Sequence, residues 1–243
     1  MSTRDQFAED IVVNKAAFQS AGRAQGAVTL HTRFVAPARV QLGGLSPIQS
    51  SLKRAMDVSV AAVLLVCLAP LLLAVAAIVR LDSPGPVLFR QRRLGLNGQP
   101  FDIFKFRTMH VLENGDDVRQ AEENDARVTR AGRFLRSSSL DELPQLFNVL
   151  VGEMSLVGPR PHAVAHDKYF AALIEGYEQR QCVKPGITGL AQVSGLRGPT
   201  PTAEAMRRRV DVDLSYVRNA RLALDLVILL RTPLEMFRRR NAL

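Results

Sequence analysis

Residues 58–79 form an apolar segment without a charged side chain, and this segment limits how the chain can fold more than any other feature. As a helix rising about 1.5 Å per residue, it is just long enough to cross a hydrocarbon core about 30 Å thick. Three structures compete for it: a spanning helix, a re-entrant helix that enters and leaves by one face, and a buried core helix. The core helix is disfavoured because the segment has no polar face. Pro70, near the middle, removes a backbone donor and predicts a kink.

Basic residues on both sides of the segment distinguish the spanning helix from the re-entrant one. Lys53 and Arg54 precede the segment, and Arg80 is the first of several arginines that follow it. Because basic residues are retained on the cytoplasmic side of a membrane, a spanning helix would export one of these two groups. A re-entrant helix-break-helix over residues 51–82, turning at Pro70, keeps both groups on the cytoplasmic face. We expect that arrangement, and a signal anchor is the alternative.

The chain combines this segment with a strong positive charge. Of 243 residues, 32 are Lys or Arg and 23 are Asp or Glu, which gives a formal net charge of +9. Beside an apolar segment, such a charge favours anionic membrane lipids and phosphorylated substrates as partners over nucleic acid. Cys67 lies inside the apolar segment, so a disulfide with Cys182 is not expected and a reducing, cytosol-facing location fits.

Three regions are predicted along the chain. Residues 1–50 are small, polar and weakly patterned, lack the early apolar core of a secretory signal, and are expected to form a flexible extension. Residues 51–82 form the membrane helix, and residues 83–243 form a cytosolic catalytic domain with interfacial amphipathic helices. The predicted fold class is α+β and mainly helical: a monotopic membrane protein with one re-entrant helix-break-helix and a small β-hairpin.

Local patterns place the elements of the third region. A hairpin is predicted around the turn at residues 96–98, and residues 113–127 are expected to form a polar helix or loop. Helices are predicted at 163–180 and 203–219, with a Gly-rich loop or short strand at 183–198.

The end of the chain combines an apolar stretch with a basic tail. Residues 222–230 are apolar and amphipathic, and Arg231, Arg238, Arg239 and Arg240 follow them. Two interpretations remain open: a helix lying in the plane of the membrane interface, and a packed terminal helix with a solvated tail.

Residues 135–161, LRSSSLDELPQLFNVLVGEMSLVGPRP, are the most informative stretch of the predicted catalytic domain. Ser139 is expected to cap a helix, because Glu142 follows it by three residues and Pro144 is tolerated in a first turn. The apolar residues at helical spacing after this start are Leu143, Leu146, Phe147 and Leu150.

Asp141 and Glu142 are adjacent acids placed between Arg136 and Arg160. Acids in a first helical turn complement the helix dipole and need no function. With two arginines and a membrane element nearby, however, the pair also suits phosphoryl transfer. One carboxylate can attack phosphorus, the other can hold magnesium, and the arginines can clamp phosphate oxygens. The residues therefore favour phosphate chemistry at a membrane surface.

A series of long, ordered motifs runs from residue 51 to residue 235. The motifs are KRxxD, the central proline, SPGPVLFRQRRLGLNGQPFDIFKFRTM, RxxSLDELPQLFNVLVGEMSLVGPRP, KPGITGLAQVSG, and DLSYV followed by DLVILLRT. In this order they resemble the bacterial monotopic polyprenyl-phosphate phosphoglycosyl transferases. Residues 1–50 lie outside the resemblance.

This resemblance implies an enzyme that moves a sugar-1-phosphate from a UDP-sugar to undecaprenyl phosphate and releases UMP. It implies Asp141 as the nucleophile of a covalent phosphosugar–enzyme intermediate and Glu142 as the ligand of Mg²⁺. It places Arg136, Arg160 and, less directly, Asp213 in the phosphate site. The reaction would be the first membrane-bound step of exopolysaccharide, capsule or O-antigen assembly, at the cytoplasmic face of the bacterial inner membrane.

The resemblance also implies roles for residues of the membrane segment. It implies a re-entrant helix broken at Pro70, in agreement with the charge argument. Lys53, Arg54 and Asp57 would anchor the cytosolic end of this helix or position the lipid phosphate.

Three alanines depart from the family pattern. Ala69 stands where Ser is usual before the central proline, Ala191 stands where Trp is usual in the KPGITGL motif, and Ala220 stands where Trp is usual after the YVxN run. The loss of two interfacial aromatics would alter membrane depth or sugar contacts. None of the three positions belongs to the acidic pair.

Two other functions compete with transfer. One is a catalytically inactive membrane scaffold of a polysaccharide assembly complex, against which the intact Asp141–Glu142 pair argues. The other is nucleic-acid binding, which predicts an affinity that depends steeply on salt and is disfavoured by the apolar segment.

Two further patterns are weak signals of a metal site: residues 211–213 (Asp-Val-Asp) and the pair His162 and His166. The sequence does not identify the sugar that is transferred or the glycan pathway. It also leaves the oligomeric state open, and a homo-oligomer is one of the alternatives.

Overall fold

The computed structural model describes residues 45–110, 125–200 and 202–237. The extension predicted for residues 1–50 lies almost wholly outside this part of the chain, as do most of the polar segment at 113–127 and the C-terminal arginines. Within the described residues, helices predominate and two small pairs of strands complete the fold. The α+β, mainly helical fold class is confirmed.

The apolar segment folds as two helices. α1 (Pro47–Cys67) and α2 (Ala69–Asp82) meet at Leu68 with a bend of 64°. Pro70 lies in the first turn of α2, where its missing N–H leaves no helical hydrogen bond unmade. The kink that Pro70 predicts is therefore confirmed, with the break just before the proline.

The bent pair exposes much of its apolar surface. Among the described residues no single helix is both long and apolar enough to cross a membrane, whereas α1 and α2 together meet that test of length and composition. Val66 is 75% exposed, Leu73 72% and Leu81 87%. The positions of the pair that are buried against the rest of the protein are Asp57, Ala61, Val75 and Val79.

The predicted hairpin is confirmed. β1 (Leu88–Leu94) pairs antiparallel with β2 (Pro100–Phe106). The turn at residues 96–98 is a short 3₁₀ helix in which Asn97 has a φ of 54°, a left-handed conformation that asparagine tolerates. The side chains of β2 that are buried in the core are Phe101, Ile103 and Phe106.

The chain through the acidic pair departs from the predicted helix. α3 (Arg130–Ser138) ends at Ser139, whose φ of 60° is left-handed. A 3₁₀ turn, Leu140–Glu142, then leads into α4 (Gln145–Val151). The predicted cap by Ser139 is wrong, because its hydroxyl makes no capping bond in this conformation. Its carbonyl oxygen instead accepts the N–H of Glu142 at 3.2 Å.

The predicted apolar stripe of α4 is only partly right. Leu146 is buried, but Phe147 is 48% exposed. The fully buried Asn148 also lies on the side of α4 that faces β2. Its side chain accepts the N–H of Phe104 at 3.0 Å and donates to the carbonyl oxygen of Asp102 at 2.8 Å. A polar side chain is required here because the backbone groups of β2 that face α4 need hydrogen-bond partners.

The second half of the chain is built on a parallel strand pair, β3 (Ser155–Val157) and β4 (Gly186–Thr188). Between the strands lie α5 (Val164–Leu173) and a 3₁₀ helix, Tyr177–Cys182. The single helix predicted over 163–180 is therefore wrong. Gly176 separates the two helices with a φ of 75°, which glycine adopts without strain.

Three helices follow β4. The short α6 (Leu190–Val193) lies in the segment expected to be a loop or strand, and helix was not predicted there. α7 (Ala203–Asn219) has the predicted bounds, and α8 (Leu222–Phe237) continues beyond the predicted apolar stretch.

One buried cluster joins the first apolar helix to the rest of the protein. It contains residues from α1, β2, α4, β3, α6, α7 and α8, so α1 is fixed onto the parallel strands by direct packing. The members of this cluster are Ala61, Phe101, Ile103, Leu146, Val149, Met154, Leu156, Val157, Val193, Tyr216 and Ile228.

Candidate active site

The Glu142 carboxylate lies among cations from distant parts of the chain. Lys105 of β2 donates to its Oε1 at 2.8 Å. Arg160, in the turn after β3, donates from Nη1 to Oε2 at 2.9 Å and from Nη2 to Oε1, which makes a two-pronged ion pair. Burial opposes the ionisation of Glu142, but the charges and hydrogen bonds of Arg160 and Lys105 outweigh it and hold the pKa of Glu142 well below its usual range.

Asp141, the neighbouring acid, has a different environment. It is only 8% exposed, and none of the residues that the structure describes donates a hydrogen bond to its carboxylate. Burial and the charge of Glu142 raise the pKa of Asp141 to about 6. The charges of Lys105, Arg136 and Arg160 act in the opposite direction. The carboxylate of Asp141 thus keeps its lone pairs available to a ligand.

The two arginines predicted for the phosphate site both lie beside the acidic pair. Arg160 contacts Glu142 directly. Arg136 lies in the last turn of α3, and its charge favours the ionised form of Asp141. The structure therefore brings together Arg136, Asp141, Glu142 and Arg160, as the sequence predicts.

Asp213, the third residue predicted for the phosphate site, is paired with another side chain, that of Arg180. It is 2% exposed, and Arg180 donates from Nε to its Oδ2 at 2.9 Å. Burial raises the pKa of Asp213, while the charge and hydrogen bond of Arg180 oppose the rise. Arg180 also donates from Nη2 to the main-chain oxygen of Arg160 at 2.7 Å. Asp213 thereby supports the turn that carries Arg160.

A second buried polar cluster adjoins Arg180. The Tyr177 hydroxyl donates to Oδ1 of Asp167 at 2.7 Å, and Nδ1 of His162 lies 2.5 Å from the Tyr177 oxygen. Burial raises the pKa of Asp167 to about 6 and lowers the pKa of His162 well below its usual range. His162 precedes α5 whereas His166 lies within it, so the two histidines do not share a helix face. Across the described parts of the chain, no three His, Cys, Asp or Glu side chains form a group suited to a metal ion.

The basic residues before the apolar segment hold α1 onto the catalytic half. Arg54 donates to the carbonyl oxygens of Val149 and Leu150 at 2.6 and 2.7 Å, where it caps the end of α4. Asp57 accepts the N–H of Leu156 at 3.1 Å. These contacts hold α1 against α4 and β3. The membrane-anchoring and lipid-phosphate roles that the resemblance implies for this end of the helix stay predictions.

Several residues around the acidic pair were not singled out from the sequence. Lys105 follows a strand pattern, and its only signal is a charge between two phenylalanines of β2. Arg209, in the run of three arginines at 207–209, is a second such residue. It is only 7% exposed and donates to the main-chain oxygen of Gly198, because this face of α7 packs against the segment before the helix.

Comparison with known proteins assigns the family. The family model described as bacterial sugar transferase matches residues 48–239, a range that includes the acidic pair, Arg160 and the bent helices. The chain belongs to the bacterial sugar transferase family. Its members are enzymes, and curated relatives of this sugar transferase carry names that agree with the assignment.

This sugar transferase is 56% identical over 190 residues to the UDP-glucose:undecaprenyl-phosphate glucose-1-phosphate transferase of Caulobacter vibrioides, across 78% of this chain and 71% of the relative. It is 51% identical over 198 residues to the protein of the same name from Klebsiella pneumoniae, across 82% of this chain and 43% of the relative. It is also 42% identical over 194 residues to the UDP-N-acetylgalactosamine-undecaprenyl-phosphate N-acetylgalactosaminephosphotransferase of Aeromonas hydrophila, across 79% of this chain and 45% of the relative. The chain thus matches less than half the length of the last two relatives.

Proposed function

We propose that this protein transfers a sugar-1-phosphate from a UDP-sugar to undecaprenyl phosphate and releases UMP, as the first membrane-bound step of exopolysaccharide, capsule or O-antigen assembly. The observation that carries the proposal is the buried carboxylate of Asp141, without a hydrogen bond from the described residues, beside an ionised Glu142. The names of the relatives supply the substrate classes. UDP-glucose and UDP-N-acetylgalactosamine are therefore the first donors to test.

In this proposal an oxygen of Asp141 attacks the phosphorus that carries the sugar. A bond forms between that oxygen and phosphorus, the bond from phosphorus to the bridging oxygen breaks, and UMP leaves with the electron pair. An oxygen of undecaprenyl phosphate then attacks the same phosphorus, and the carboxylate of Asp141 leaves. The two displacements return the enzyme to its starting state.

The cations around the pair suit this chemistry. A phosphoryl transition state spreads negative charge over its non-bridging oxygens, and positioned arginines and lysines stabilise that charge. Arg160 and Lys105 lie at Glu142, and Arg136 lies near Asp141. Their charges also reduce the repulsion between the anionic nucleophile and an anionic substrate.

Mg²⁺ is the cofactor that we propose, with Glu142 as its protein ligand. The residues present fit the ion, because Mg²⁺ takes one or two carboxylates and completes its shell with phosphate oxygens and waters. Three hydrogen bonds reach the Glu142 carboxylate, which offers about four acceptor positions. When bound, the ion supplies charge neutralisation at the phosphate. Chelation should abolish UMP release and added Mg²⁺ should restore it, whereas turnover that survives chelation would contradict the assignment.

We propose that the bent pair is a re-entrant membrane element at the cytoplasmic face of the bacterial inner membrane. The exposed apolar side chains of α1 and α2 support this, because contact with lipid removes such a surface from water. α8 adds a second apolar surface, formed by Leu226, Leu230 and Leu234, which are 52%, 76% and 60% exposed. Reporter fusions before residue 47 and after residue 82 should both be cytoplasmic. A reporter after residue 82 that appears outside the cytoplasm would contradict the proposal.

UMP release by the full-length protein in lipid nanodiscs tests the function. Wild type and Asp141→Asn are compared with Mg²⁺, undecaprenyl phosphate and a panel of UDP-sugars, and Asp211→Asn, an exposed acid on α7, is the matched control. We expect UMP from at least one donor and a loss of about 10³-fold or more in Asp141→Asn only. A phosphosugar adduct on Asp141, detected by mass spectrometry without acceptor, would identify the intermediate. A folded protein that releases no UMP from any donor would favour the inactive scaffold.

A further inference from the structure

The segment between α6 and α7 brings another arginine to the acidic pair. Arg197 lies in this segment and donates from Nη2 to Oγ of Ser139. Ser139 stands two residues before Asp141, and its carbonyl oxygen accepts the N–H of Glu142 at 3.2 Å. The Arg197 guanidinium is therefore held at the start of the 3₁₀ turn that carries both acids.

The same segment is also fixed from the side of α7. The buried guanidinium of Arg209 donates to the main-chain oxygen of Gly198, the residue next to Arg197. Moving the segment away from the acidic pair would leave that cation without this hydrogen bond in a buried position, which is costly. Arg197 is thus presented to the acidic pair by two independent contacts.

Arg197 has unused hydrogen-bonding capacity. Among the described residues its side chain makes the hydrogen bond to Ser139 and no ion pair. A guanidinium carries about five N–H donors, so most of those of Arg197 have no partner among the residues that the structure describes. The charges of Glu142, Arg160 and Asp141 all act on Arg197, but Glu142 is already bound by Arg160 and Lys105. Burial lowers the pKa of Arg197, as expected for a guanidinium without a paired anion.

We propose that Arg197 is a substrate-binding residue that donates to a non-bridging oxygen of a substrate phosphate held beside the acidic pair. This inference rests on the proposed function and adds a residue to its phosphate site. A partly buried guanidinium with free N–H groups suits a phosphate because the planar fork matches two of its oxygens. The phosphate has two sources, the diphosphate of the UDP-sugar and the phosphate of undecaprenyl phosphate.

Three variants of the full-length protein in lipid nanodiscs distinguish phosphate binding by Arg197 from a purely structural role, in which Arg197 only holds its segment against Ser139. Arg197→Gln removes the charge. Ser139→Gly removes the side chain whose hydroxyl tethers Arg197, and glycine adopts the left-handed φ of this position. Arg208→Gln is the control, because Arg208 is an exposed arginine of α7 paired with Glu204 at the surface.

Two sets of measurements distinguish the two phosphate sources. UMP affinity by calorimetry and UMP release without acceptor report the donor, and KM for undecaprenyl phosphate reports the acceptor. We expect Arg197→Gln to weaken the affinity of whichever phosphate it binds by about 10- to 100-fold. Ser139→Gly should weaken it by about fivefold at most. Arg208→Gln should match wild type in every measurement.

The inference is overturned if Arg197→Gln matches Arg208→Gln in UMP affinity and in both kinetic measurements. It is also overturned if Arg197→Gln and Ser139→Gly lose the same affinity and the same thermal stability. That result would mean that Arg197 only holds its segment against Ser139 and does not bind phosphate. If Arg197→Gln does not fold, Arg197→Lys replaces it and should lose more affinity than Ser139→Gly. A wild type that releases no UMP from any donor refutes the proposed function. UMP affinity is still measurable in that case: a loss in Arg197→Gln but not in Arg208→Gln would support phosphate binding by Arg197, and equal affinities would overturn it.

Discussion

The ammonium of Lys53, near the start of α1, donates to the carboxylate of Asp225, near the start of α8, at 2.6 Å. Asp225 is fully buried, and its other oxygen accepts the hydroxyl of Tyr216 at 2.8 Å. Lys53 also donates to the main-chain oxygen of Val157 at 3.2 Å. One buried carboxylate therefore joins the first and last described helices to the strand that leads into the Arg160 turn.

Removal of this carboxylate should destabilise the protein. Asp225→Ala leaves the half-buried ammonium of Lys53 without its carboxylate partner and the buried hydroxyl of Tyr216 without this acceptor, and we expect the free energy of unfolding to fall by about 3 kcal/mol. The measurement is chemical unfolding in detergent micelles. Asp211→Ala removes an exposed acid of α7 and should change the value by about 0.5 kcal/mol or less. Equal effects of the two substitutions would contradict the structural role of Asp225.

The contribution of Arg160 to UMP release should depend on the planar shape of its guanidinium as well as on its charge. Arg160→Lys keeps the charge but lacks the planar pair of nitrogens that binds the two oxygens of Glu142, so we expect UMP release to slow by about 10- to 100-fold. Arg207→Lys, at an exposed position of α7, should leave the rate unchanged. Initial rates with a saturating donor provide the measurement. A lysine variant with the wild-type rate would show that charge alone suffices.

Asp167 should make the stability of the protein depend on pH. Burial raises its pKa from 3.8 to about 6. The folded state thus binds this proton more tightly than the unfolded state does, so the contribution of Asp167 to stability is fully present below about pH 4 and is lost as the pH rises through about 6. Asp167→Asn should therefore gain up to about 3 kcal/mol of unfolding free energy relative to wild type between about pH 4 and pH 7.

Unfolding curves at the two pH values test this prediction. The groups that face Asp167 are Tyr177, Arg180, Arg93 and His162. Burial holds the pKa of His162 well below its usual range and that of Tyr177 well above it, so neither changes charge near pH 6. A difference between variant and wild type that stays constant with pH would refute the prediction.

Pro70 should be needed for the break between α1 and α2. Pro70→Ala restores a backbone donor and removes the clash of the ring with the preceding turn, which together favour a continuous helix by about 3 kcal/mol. We expect part of the population to become membrane-spanning, so that a cysteine placed at residue 82 reacts with impermeant reagents from outside the cell. Pro86→Ala, outside both helices, is the control. Protection of the cysteine in both variants would show that packing alone enforces the bend.

Local chemistry in the sequence was sufficient for several elements. The uninterrupted apolar segment with Pro70 predicted the bent helix pair, and alternating apolar residues around an Asn-Gly turn predicted the hairpin. α7 has its predicted bounds for the same reason: the pattern that predicts it lies within its own residues. The cap at Ser139 failed because a left-handed residue ended the preceding helix there, and no short-range pattern announced it.

The sequence by itself determined which chemical groups are available: an adjacent acidic pair, arginines, and an apolar segment able to enter a bilayer. Only the tertiary structure decided their pairing. Glu142 meets Arg160 across 18 residues and Lys105 across 37, and Lys53 meets Asp225 across 172. These pairs depend on how helices and strands pack, because local periodicity fixes which face of an element is apolar but not which element covers it. The same packing leaves the Asp141 carboxylate buried without a hydrogen bond from the described residues, which sets it apart from Glu142.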